Sequence, residues 1–134
     1  MRRHTSSEQK KMIESAKEFI DLRMSEVKEE YDRSAQEEAS LETWHELVSE
    51  YPEMREWVAH NKTVPLEILE KLSCDRDAKV RWVVATKRKL SKELQLALAQ
   101  DSDESVRLRI AFNAKAFKEA VVLPWFLDSY AAKG

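Results

Sequence analysis

Two stretches of this chain say nearly the same thing: CDRDAKVRWVVATKRKL at 74–90 and QDSDESVRLRIAFNAKA at 100–116. The offset is 26 residues, and it extends backward through Arg55, Arg81 and Arg107 and through Ala59, Ala85 and Ala111. Met54, Val80 and Val106 form a third column, and Val58, Val84 and Ile110 a fourth. Further on come Val64, Leu90 and Ala116, then Ile68, Leu94 and Ala120, then Leu72, Leu98 and Pro124. Three units follow without a gap, at 49–74, 75–100 and 101–126. A fixed period of this size marks stacked supersecondary units, none of which can bury its apolar face alone.

Each unit reads as two helices. The first is expected at roughly 52–61, 78–87 and 104–113, where Val80, Val84 and Ala85 recur at helical spacing. Asp75 and Asp77, then Asp101 and Asp103, suit helix starts through capping and the macrodipole. Pro52 does that work in the first unit by pre-setting φ. The second helix opens at Pro65 or Ser91 and carries Leu66, Ile68, Leu69 and Leu72, or Leu94, Leu96 and Leu98.

The stretch DRDAKVRWVVATKRKLSKELQLALAQDSDESVRLRIAFN (75–113) resembles the HEAT/armadillo-like α-solenoids, most of all their short bacterial form, the leucine-rich repeat variant. The shared signature is an Asp a few residues before Val-Arg, an apolar-Ala pair, an Asn, and a Leu-rich helix opened by Pro. The resemblance implies an all-α fold: a short right-handed α-α superhelix of about three 26-residue repeats. It also implies that Asp75, Asp77, Asp101, Asp103, Arg81 and Arg107 bond between neighbouring units and are structural. The first unit departs, with Tyr51 in place of Asp. The third departs too, with Ala116, Ala120 and Pro124 where larger apolar residues are expected.

The flanks complete a single domain over 1–134: a helical cap at 1–48, the repeats at 49–126, and a second cap at 127–134. Residues 7–38 contain no breaker, and Ile13, Ile20 and Val27 lie seven apart. A continuous helix there would reach roughly 48 Å. It is expected either to fold back over the first repeat or to offer a coiled-coil seam for a homodimer. A shorter helix is expected at about 41–50, capped by Ser40, with Leu41, Trp44, Leu47 and Val48 inward. At the far end Trp125, Phe126 and Tyr130 are expected to cover the last repeat.

Composition narrows the chemistry. Gly134 is the single glycine, so phosphate-cradling Gly-rich loops are excluded. Cys74 is alone, ruling out an intramolecular disulfide, and is expected to be a buried, inert thiol. The N-terminal MRRHTSSEQKK lacks an apolar segment, and no apolar run reaches membrane-spanning length, so a cytoplasmic setting is expected. His4, His45 and His60 are scattered without metal-ligand spacing, and no nucleophile–base motif appears. No catalytic activity, cofactor or metal is expected.

What remains is surface. Like positions of stacked repeats form ladders: Glu56, Trp82 and Leu108, and beside them His60, Thr86 and Phe112. Lys87, Arg88, Lys89 and Arg109 surround Trp82, Leu108 and Phe112, and clustered aromatic and Arg residues are what interface hot spots use. The competing expectation is that the amino-terminal helix covers this patch. Residues 1–48 carry 8 Lys+Arg against 12 Asp+Glu, whereas 75–126 carry 11 against 7. Two functions follow: a non-catalytic module binding an acidic protein surface, as a small inhibitor or immunity-type protein would, or a nucleic-acid binder with a basic groove in 75–126. The sequence pI near 6.0 favours the first.

Overall fold

In the computed structural model, which describes residues 12–113, the chain is mostly helical and forms two compact units, residues 1–65 and 66–134. The boundary falls between the two helices of the first 26-residue unit.

The first unit opens with a helical hairpin. Helix α1 spans Ala16–Arg23 and α2 spans Lys28–Gln36. Ser15 caps α1 by accepting from the Glu18 N–H. A two-residue strand β1, Met12–Ile13, precedes the hairpin and pairs in parallel with β2, Glu38–Ala39, in the register Met12–Glu38 and Ile13–Ala39. Helix α3, Leu41–Glu50, begins after Ser40, whose hydroxyl accepts from Thr43 N–H. A 3₁₀ turn at Pro52–Met54 then leads into α4, Arg55–His60. Phe19 of α1 meets Trp44 of α3 edge to face, centroids 5.7 Å apart, a contact contributing about 1 kcal/mol beyond area burial.

The continuous helix expected over 7–38 is therefore corrected. The turn at 24–27 contains neither Gly nor Pro, which is why it leaves no breaker signal. Ser25 makes it instead: its hydroxyl accepts from Val27 N–H and donates to Glu30 Oε1 at 2.7 Å. A short hydroxyl side chain offers the backbone an alternative to the helical ladder. The fold-back lets Ile13 join β1 fully buried while Val27 stays half exposed, so the seven-residue stripe does not run along one continuous helix. Arg33 ties the hairpin together, bonding Glu37 just past the end of α2 and reaching Glu18 of α1 at 3.2 Å.

Asn61, fully buried, locks α2 to the end of α4. Its Nδ2 donates to the carbonyls of Ser34 and Glu37, each at 2.9 Å. Its Oδ1 accepts from both the N–H and the hydroxyl of Thr63. Every polar site of this side chain is thus used, the condition under which a buried amide is tolerated.

The second unit holds α5 (Leu66–Leu72), α6 (Ala78–Ala85), α7 (Lys92–Ala99) and α8 (Glu104–Ala111). Helices α6 and α8 have the same length and start 26 residues apart. Each is capped by an Asp, Asp77 or Asp103, accepting from the N–H two residues on. Ser91 caps α7. Every member of the periodic apolar columns that falls among the described residues is buried, from Met54, Val80 and Val106 to Leu72 and Leu98.

The arginine column is structural too. Arg81 clasps Asp101 through two bonds, Nε at 2.8 Å and Nη2 at 3.1 Å, and its Nη1 donates to the Asp75 carbonyl. The bonds to Asp101 raise the Arg81 pKa further above its already high value. Arg107, buried, donates from Nη1 to the Asp101 carbonyl at the same 2.6 Å. Asn113 repeats the Asn61 clamp, donating to the carbonyls of Ala85 and Lys87.

Several inward assignments are corrected. Leu41 and Leu66 are exposed, and Leu96 is half-buried. Gln95 takes the buried place beside Leu94, donating to the Leu90 carbonyl. Cys74 is exposed, because α5 ends at Leu72 and carries the chain out into the turn before α6. Helices expected in 114–126 and the cap built on Trp125, Phe126 and Tyr130 lie outside the described residues.

Candidate functional site

The sequence-derived patch sits on the second unit and centres on α6 and α8. Trp82 is 39% exposed, Phe112 is 69% exposed, and Leu108 is half-buried. The Arg109 guanidinium lies 5.7 Å from the Trp82 ring centroid and joins the two helices across this face. Leu108 lies on α8 one turn before Phe112, the residue that closes the helix, with Arg109 three residues before Phe112.

The basic segment Lys87–Lys89 occupies the turn after α6. Asn113 bonds the Lys87 carbonyl at 2.5 Å and so holds that turn beside the end of α8, where Phe112 stands. Arg88 and Lys89 are exposed and Lys87 half-buried. Among the described residues Arg88, Lys89 and Arg109 have no carboxylate partner, and Arg109 Nε is buried without an acceptor. The neighbouring Arg81, by contrast, is consumed by Asp101. Arg81 and Arg107 thus serve as internal ties, whereas Arg88, Lys89 and Arg109 have no ion pair among the described residues.

The ladder partners from the first 26-residue unit, Glu56 and His60, do something else. They pair with one another, His60 Nε2 lying 3.9 Å from Glu56 Oε2, and His60 stacks on Trp57 at 5.5 Å. His60 also borders a site that sequence reasoning missed. A cavity of about 210 Å³ is lined by Arg23, Tyr31, Ser34, Ala35, Trp57 and His60. Arg23 closes α1 and Tyr31 lies in the first turns of α2; on one continuous helix they would stand roughly 12 Å apart along the axis. The unrecognised turn at 24–27 brings them together. The only available signal was the Ser25 hydroxyl, a weak one.

Among the described residues no group of three His, Cys, Asp or Glu could hold a metal ion, and no helix is long and apolar enough to cross a membrane. Comparison with family models, curated proteins and solved structures finds no match to this chain.

Proposed function

We propose that this chain is a non-catalytic protein-binding module, a short HEAT/armadillo-like α-α superhelix that uses the face of Trp82, Leu108, Arg109 and Phe112 to grip an acidic protein. The observation that carries the reading is the exposed Trp82 and Phe112 flanking Arg109, whose charge has no carboxylate partner among the described residues. A large aromatic surface beside an unsatisfied guanidinium is the composition of an interface hot spot. The matching bonds of Arg81 and Arg107, 26 residues apart, support the repeat reading.

Lys87, Arg88 and Lys89 form the rim. Their charge speeds encounter and sets orientation more than it adds affinity. A neutralising partner of an enzyme or toxin, acting in the cytoplasm, fits this description: it needs one rigid face and no chemistry of its own.

The test is a binding measurement. Trp82→Ala should weaken a protein complex by about 2 kcal/mol or more with the helical signal and melting unchanged. Removing the three charges at 87–89 should lower the association rate and flatten its salt dependence. Saturable binding to random-sequence DNA, steeply salt-dependent and indifferent to Trp82→Ala, would replace this reading with the nucleic-acid one.

A further inference from the structure

The first unit contains an arginine whose charge is met by no carboxylate among the described residues. Arg23 is held by rings: its guanidinium carbon lies 3.5 Å from the Trp57 centroid and 4.5 Å from that of Tyr31. Ring faces occupy the π surface of a guanidinium and leave its in-plane N–H groups for acceptors. Yet Arg23 Nε is buried with no acceptor, and among the described residues Arg23 makes no ion pair or hydrogen bond. Arg33, only ten residues on, has Glu37 and Glu18. A buried unsatisfied donor costs about 1–3 kcal/mol, more when charged, so an arrangement that keeps one at a cavity wall is suited to a ligand that supplies the acceptor.

From this geometry we infer that the cavity bounded by Arg23, Tyr31, Trp57 and His60 binds a carboxylate group. A planar carboxylate matches the fork of N–H donors and takes two parallel bonds from it. The cavity, about 210 Å³, is below the usual range of sites that engulf a whole cofactor, so it takes a small acid or the end of a larger one. Trp57 already carries Arg23 and His60 against its ring, so selectivity comes from charge rather than from stacking of the ligand. One arginine supplies the fixed positive charge, and the Glu56 carboxylate 3.9 Å from His60 opposes a second negative charge. A monocarboxylate is therefore preferred over a phosphate dianion. Tyr31 and His60 are both exposed at the rim and leave the entrance open. The source is either a free small acid or the carboxy-terminal end of a peptide.

The experiment follows the side-chain Nε–H resonances of the ¹⁵N-labelled chain while sodium acetate replaces sodium chloride at constant ionic strength. The Arg23 signal should shift saturably with a Kd in the millimolar range, while the ion-paired Arg33 signal stays in place. Inorganic phosphate should bind no more tightly than acetate. Acetyl-dialanine with a free carboxylate, compared with its amide, separates the sources: tighter binding of the acid than of acetate assigns a peptide end, and its exclusion assigns a small free acid. Read at the Trp57 indole N–H resonance, Arg23→Gln should weaken acetate binding at least tenfold, and Arg23→Lys, which keeps the charge and loses the fork, should weaken it as well. Melting curves of both variants verify the fold. A shift that is linear in acetate and matched by chloride, or acetate affinity unchanged in a folded Arg23→Lys protein, would overturn the inference.

Discussion

Residues 51–60 and residues 77–85 occupy the same phase of the 26-residue period and begin differently. At 77 and again at 103 an Asp carboxylate caps the helix, and eight residues of α-helix follow. At 51 a Tyr stands in that place with no side-chain cap bond, Pro52 follows, and the chain makes a 3₁₀ turn before a six-residue helix. The arginine changes with it. Arg81 and Arg107 each donate from Nη1 to a carbonyl six residues back, whereas Arg55 donates from Nε to Val48, seven back. The position without the carboxylate thus differs both in how the helix starts and in the backbone carbonyl its arginine reaches. What the two regions share is the asparagine clamp, Asn61 in one and Asn113 in the other.

That shared clamp gives the largest expected effect. Asn61→Ala leaves the carbonyls of Ser34 and Glu37 and the Thr63 N–H without this partner, and should cost about 3 kcal/mol in a urea denaturation midpoint. A loss below about 1 kcal/mol would mean that the clamp does not organise the first unit. Next comes Arg81→Ala, expected to cost about 2 kcal/mol, because it strips Asp101 of its two-point partner in a half-buried setting. Arg55→Ala, which removes the bond to the Val48 carbonyl, should also lower the midpoint. An unchanged midpoint in the Arg55→Ala protein would show that the Val48 bond does not hold the start of α4.

The cap predicts a smaller asymmetry. Asp77→Ala should lower stability by about 1 kcal/mol, and Tyr51→Ala should lose no capping contribution, its cost arising only from packing. Asp103 adds a pH signature. Its carboxyl is held below the usual range, first by the Ser105 hydroxyl, then by the Ser105 N–H, with the Arg81 charge helping. A carboxylate whose pKa is lower folded than unfolded favours the folded chain above about pH 4 and loses that contribution as pH falls through the depressed value. Ser105→Ala should therefore flatten the decline of the denaturation midpoint below about pH 4. A decline of unchanged steepness would show that Ser105 does not set it. The smallest effect is at Cys74: exposed, it should react with a thiol reagent in the native protein nearly as fast as in the unfolded chain, and Cys74→Ser should change stability by less than about 0.5 kcal/mol. Strong native protection would contradict its position in the turn.

The arginine ties were expected only from the resemblance, while the period of 26, the buried columns and the aspartate caps were legible in the residues. So was the composition of the patch around Trp82, because a repeat writes each position more than once. These features are local or nearly so: a helix imposes its spacing on apolar residues, and a cap bonds two or three residues away. The features that escaped depend on distant partners. No breaker announces the turn at 24–27, since what favours it is the burial of Phe19 and Leu22, the β1–β2 pairing and the Ser25 bonds together. Gln95 is buried and Leu96 is not, a choice made by the Leu90 carbonyl rather than by hydropathy. The cavity around Arg23 joins residues from α1, α2 and α4 that no spacing rule connects. Periodicity reports which face of a helix turns inward; which face it meets is settled only when the chain closes on itself.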